Sequence, residues 1–247
     1  MIDFIINCLL GTIKMFLTII LPLGIIGFFM HFCTDTLRNR ISLKVGSRFF
    51  IYFTCVGTVV HELSHALMCI IFNHKINKIS LFSPQADGVL GFVEHSYNRQ
   101  NLYQRIGCFF IGVAPLVGGI VSIYFLSLLL LPENICYKFS QGYNPFLIFE
   151  LICDPSFYLN IKSYIWLYLI FSIMLHTTLS PADLKGSSTG LTGLLVSIMI
   201  ISAIGGIFPQ VENFIIINAK TLILFFINPL ILSFFLLLLI YLILQKL

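Results

Sequence analysis

The chain has 247 residues, 58% of them hydrophobic and only 10% charged, with a mean hydropathy of +1.00. Soluble domains carry about a quarter charged residues, so this composition does not cover a water-facing surface, and disorder is excluded with it. The formal charge of +4 is too small and too scattered for a phosphate-tracking stripe, which excludes nucleic acid as a partner and leaves the lipid bilayer.

A bilayer core takes about 20 apolar residues of helix. Six segments meet that requirement, at roughly 12–33, 50–72, 106–131, 163–180, 190–208 and 222–244. Ahead of the first, Asp3 precedes any basic residue; Lys14 interrupts the apolar run and no small-residue cleavage site follows. This predicts a retained anchor rather than a cleaved leader. The basic stretch Arg38 to Arg48 reads as a solvated loop. After the second segment, Ile76 to Phe82 alternates imperfectly, Pro84 to Gly88 carries turn residues, and Val89 to Val93 reads as a second short strand. That pattern predicts a β-hairpin beside the membrane. Pro132 to Lys162, with Gly142 and the Asn144–Pro145 pair, is expected to be irregular. The last segment, rich in Leu, Ile and Phe, is expected to face lipid.

The second, third and fourth segments are different. They carry His61, Glu62 and His65, then Gly112, Pro115, Gly118 and Gly119, then His176. Ionisable groups in hydrocarbon face the bundle interior, and small residues let helices approach closely. The expected fold is therefore an all-α polytopic membrane protein of about six transmembrane helices, with a short membrane-associated β-hairpin after the second. Its organisation is an N-terminal anchor and basic loop over 1–49, a transmembrane core over 50–190, and C-terminal helices over 191–247. The chain is expected in the cell membrane as a multi-pass protein. Its seven cysteines include no CxxC pair, which predicts neither a disulfide framework nor a thiolate metal site.

The sharpest feature is His61-Glu62-Leu63-Ser64-His65, an HExxH motif. On a helix, positions i and i+4 share a face, so both imidazoles reach one zinc ion, and Glu62 is placed to act as general base. Two histidines and a glutamate in one apolar segment are costly without a shared purpose. A catalytic zinc takes a third protein ligand. His74, His95, His176, Asp183 and a few loop carboxylates are the choices. Histidines in the polar stretch after Asn73 are ordinarily solvated. Pro181 and Gly186 punctuate the segment around Asp183, which favours a helix break that aims this carboxylate inward. His176 is then its neighbouring support. The competing reading of Asp183 is a simple helix cap or a headgroup contact.

An HExxH helix, a hairpin-like segment, a Gly/Pro-bearing helix and an Asp at a helix break, in that order, resemble the site-2 protease family of intramembrane zinc metalloproteases over about residues 50–190. The resemblance implies zinc held by His61, His65 and Asp183, with Glu62 as the catalytic base. It implies hydrolysis of a transmembrane or membrane-associated protein or peptide substrate. Two departures stand out. Ser180-Pro181-Ala182-Asp183-Leu184-Lys185-Gly186 puts the aspartate before the leucine, unlike the family's Asn-Pro-x-x-x-Leu-Asp-Gly-like segment. Gly112-Val113-Ala114-Pro115 follows the family's Gly-Pro-centred helix only loosely. The alternatives are a metal-binding transporter or scaffold without hydrolysis, and a membrane metalloprotease of the prenyl-protein-processing type. An edge of the hairpin is expected to hold an unwound substrate, with Asn144 as a further backbone partner or a plain turn residue.

Overall fold

The computed structural model describes residues 2–86, 88–135 and 153–207, together with Leu242. The protein is mostly helical with one small antiparallel sheet. In chain order the elements are α1 (Ile2–Met15), a π-helical turn (Phe16–Ile20), α2 (Leu21–Val45), α3 (Ser47–Phe53), α4 (Cys55–Ile71), β1 (Lys75–Ser80), β2 (Phe92–Ser96), α5 (Leu102–Leu130), α6 (Pro155–Tyr158), α7 (Ile161–His176) and α8 (Pro181–Ile207).

Two helices are long and apolar enough to cross a membrane, α5 and the Pro181–Ile204 part of α8; α3 and α4, bent by 57° at Thr54, make a third if they count as one span. The expectation of six is therefore not met among the described residues. Residues 163–180 fall short because α7 has 16 residues and ends at His176. The segment at 190–208 begins earlier, at Pro181, where the chain caps a new helix. The 12–33 region lies in a run that stays helical from Ile2 to Val45, and its qualifying apolar helix, Cys8–Thr18, is short. The helix continues through Arg38, Arg40 and Lys44, so the basic loop expected there is corrected to helix as far as Val45. Gly46, at φ +88°, ends it, a backbone conformation that costs glycine little. The segment at 222–244 and Asn144 lie outside the described residues.

α5 is the central post, packed against α4, α7 and α8. Its Leu116, Ile120 and Ile123 pack with Trp166, Ile170 and Ile173 of α7 and with Leu37 and Ile41 of α2. The buried Trp166 indole N–H donates to Ser127 Oγ at 3.0 Å, so the largest core side chain carries no orphaned donor. Leu63, Leu67 and Ile70 project outward from α4, as side chains against lipid do. The hairpin forms as expected, but with a shifted second strand. β1 pairs with β2 in the register Lys75↔Ser96 to Ser80↔Phe92, with an irregularity between Ile76 and Lys78. Val89 to Gly91 are spent on the connection, where Ser83 N–H donates to the Leu90 carbonyl at 2.7 Å and Gln85 N–H to the Val89 carbonyl at 2.8 Å.

Candidate metal centre

The α-helical turn of α4 places His61 and His65 on one face, with their Nε2 atoms 3.2 Å apart. Asp183 meets them from the first turn of α8. Its carboxylate lies 3.5 Å from His61 Nε2 and 3.1 Å from His65 Nε2. Among the described residues, this is the group of three His, Cys, Asp or Glu side chains able to converge on one ion. Asp183 also caps its helix. Ser180 N–H donates to Asp183 Oδ2 at 2.7 Å, and Asp183 N–H donates to Ser180 Oγ at 3.2 Å. This is a reciprocal capping box, with Pro181 at the first helical position where proline fits best. The cap expected of Asp183 is thus present, and the same carboxylate also faces His61 through Oδ2 and His65 through Oδ1.

Two backbone carbonyls aim the imidazoles. His61 Nδ1–H donates to the His176 carbonyl at 2.6 Å, and His65 Nδ1–H donates to the Ile111 carbonyl at 2.7 Å. Neither carbonyl has the usual helical N–H available. Pro115 stands four residues after Ile111 and has no N–H to give. His176 closes α7, and the N–H four residues on, Ser180, is committed to Asp183. A helix end and a proline therefore supply the two acceptors.

Carbonyls only accept, so each Nδ1 carries the hydrogen and each neutral ring presents a bare lone pair at Nε2. Two such lone pairs and a carboxylate facing one another repel unless a shared proton or a metal cation sits between them. The separations of 3.1–3.5 Å match the distances of about 3.3–3.4 Å between donors in a tetrahedron with zinc bonds of about 2.0–2.1 Å. The donor set fits a zinc-type ion. Ring nitrogens held by carbonyls are the ordinary outer support of such histidines.

Close helix contacts bring these groups together. A Cβ on Gly57 would collide with the Ser172 carbonyl and the His176 ring, and one on Gly112 would collide with Ser187 Oγ and lie 2.6 Å from the Asp183 carbonyl. Gly118, likewise, lies against Ser64. Glu62 is buried and lines the same cavity of about 1120 Å³ as His61, His65 and Asp183. Over it lies Gly91, where a Cβ would approach Glu62 Cγ to 2.8 Å, which explains why the hairpin connection passes so close to the site.

His176 supports the site through its carbonyl. Its ring donates from Nε2 to Thr54 Oγ1 at 3.0 Å and accepts at Nδ1 from Thr58 Oγ1 at 3.3 Å, because the Thr54 hydroxyl already donates to the Phe50 carbonyl. His74 and His95 pair with each other, Nδ1 to Nδ1 at 3.0 Å, while His74 Nε2–H donates to the Gln104 carbonyl at 2.7 Å. Burial pushes both imidazoles below their ordinary pKa. Sequence reasoning missed Gly91 and Arg38, both of which line the cavity. The i−4 position of Pro115 was the available signal for the Ile111 carbonyl. No family model, curated protein or solved structure matches this chain.

Proposed function

We propose that the protein is a zinc-dependent endopeptidase of the membrane, cleaving peptide bonds in transmembrane or membrane-associated substrates. The observation that carries this reading is the convergence of His61, His65 and Asp183 at zinc spacing, with Glu62 in the same cavity. His61, His65 and Asp183 would hold the ion, leaving a fourth position open. Bound there, zinc supplies a Lewis acid and lowers the pKa of a coordinated water to about 7.

Glu62 accepts the proton of the attacking water and returns it to the leaving amine nitrogen. The carbonyls of His176 and Ile111 keep both rings in one tautomer throughout. A helical substrate must unwind before its carbonyls are available. β2 lines the cavity through Phe92 and Val93 and has β1 as its single partner among the described residues. Its other edge suits an extended peptide added as a third strand.

The test is metal analysis of detergent-purified protein, followed by co-purification of substrate with Glu62→Gln. About one zinc per chain, together with a cleavage lost in Glu62→Gln, is expected. A metal-loaded protein whose function survives Glu62→Gln would instead be a metal-binding transporter or scaffold.

A further inference from the structure

Arg38 enters the same cavity from α2, outside the 50–190 core. Its Nη2 donates to the Leu175 carbonyl at 2.6 Å and lies 3.4 Å from Thr178 Oγ1. Leu175 is the neighbour of His176, whose carbonyl aims His61, so the guanidinium stands one peptide unit from the metal-site scaffold. Its Nε is buried and has no hydrogen-bond partner. Its Nη1 makes no hydrogen bond to the described residues. No carboxylate among the described residues forms an ion pair with it; Asp35, one turn earlier on α2, is its charged neighbour.

Asp35 shares the cavity wall with it, but a largely desolvated guanidinium with no hydrogen-bonded anion among the described residues is still a costly arrangement. The Leu175 carbonyl anchors one N–H of Nη2 at 2.6 Å, and the contact to Thr178 is long at 3.4 Å, so Nη1 and the second N–H of Nη2 are left without a strong acceptor. Guanidinium in that state is suited to a planar carboxylate, which takes two parallel N–H bonds. We propose that Arg38 is a substrate-binding residue that receives a carboxylate of the peptide being cleaved. This rests on the endopeptidase reading for its substrate class, though the binding itself does not require turnover. The carboxylate comes either from an acidic side chain near the scissile bond or from the chain end of a short product-like peptide.

The test uses Glu62→Gln protein in lipid nanodiscs, with and without added zinc, and fluorescein-labelled apolar peptides read by anisotropy. One series carries a single Asp at successive positions against Asn twins. A second compares a free with an amidated C-terminus. The acidic member of at least one pair is expected to bind about 30-fold more tightly, the low end for a buried charge-assisted pair. In an added Arg38→Gln substitution the preference falls to within about twofold, and Arg38→Lys restores only part of it because the fork is lost. The position of the responsive pair tells side chain from chain end. Equal binding of every acid and amide pair, or a preference that survives Arg38→Gln, overturns the proposal. Zinc content is measured on the same samples, and cleavage on protein that keeps Glu62. Zinc and cleavage present without acid preference fails Arg38 alone, whereas an Arg38-dependent preference without zinc or cleavage fails the endopeptidase reading alone. Should Arg38→Gln not fold, Arg38→Lys against the same peptide pairs carries the decision: undiminished preference with Lys overturns bidentate capture.

Discussion

Two histidine pairs lie close together in this molecule and do opposite things. In His61 and His65 both Nδ1 atoms are spent on backbone carbonyls, so both Nε2 lone pairs are left facing each other and Asp183. In His74 and His95, His95 Nδ1–H donates to His74 Nδ1, and His74 spends its single N–H, at Nε2, on the Gln104 carbonyl. The second pair satisfies its facing nitrogens within itself. The first leaves acceptors that only a shared proton or a metal ion can satisfy. What separates a candidate ligand from a packing residue here is which nitrogen the backbone claims, a property of the surrounding carbonyls more than of the histidines.

The largest expected effect falls on metal content. His65→Ala should leave detergent-purified protein without zinc by mass spectrometry, while His95→Ala keeps about one ion per chain. Loss in both would erase the distinction between the pairs. Next, Glu62→Gln should retain the ion and lower peptide hydrolysis by a factor of about 10²–10⁴, the range for a positioned general base; undiminished turnover would remove Glu62 from the chemistry. Third, Pro115→Ala restores an N–H that competes with His65 for the Ile111 carbonyl. Zinc affinity in a chelator titration should weaken by about 10–100-fold, as for other losses of outer support, without loss of helical circular dichroism. Unchanged affinity would mean the carbonyl does not aim His65.

A smaller effect concerns pH. Burial holds the folded-state pKa of His74 and His95 below the ordinary imidazole value. The unfolded chain therefore binds more protons than the folded one as pH falls through about 6.5. The pair's contribution to stability is full above that pH and declines below it. Thermal unfolding of metal-free protein should shift to lower temperature between about pH 7 and 5, and His74→Gln should flatten part of that slope. An unaltered slope in the variant would assign the pH dependence to other groups.

Much of the site was legible in sequence because HExxH at helical spacing leaves little choice, and because Pro181 marks a helix break two residues before the acid. The spans were less legible. Hydropathy does not distinguish α7, which stops at His176, from an apolar run that extends to Ser180, since Thr177 and Leu179 fit either. Val89 to Val93, following turn residues, pointed to a strand, but Gly91 is there for its missing Cβ against Glu62, a tertiary demand with no local signature. Arg38 stood in a basic stretch that looked solvated. Only the packing of Leu37 and Ile41 against α5 and α7 carries the residue between them into the cavity. The Ile111 carbonyl was readable from Pro115 by counting back four, provided one asks which acceptor a proline leaves idle.

Because Asp183 holds Ser180 N–H and faces the histidines with the same carboxylate, the start of α8 and the third ligand are a single mechanical unit. Helix ends open and close far faster than whole helices unfold, so under the proposed zinc function the residence time of the ion would be governed by the fraying of one turn. Ser180→Ala, which removes about 1 kcal/mol of capping, should speed isotopic zinc exchange about fivefold while the ligand set stays intact. The clock for metal release, on this account, is built from a serine that never touches the metal.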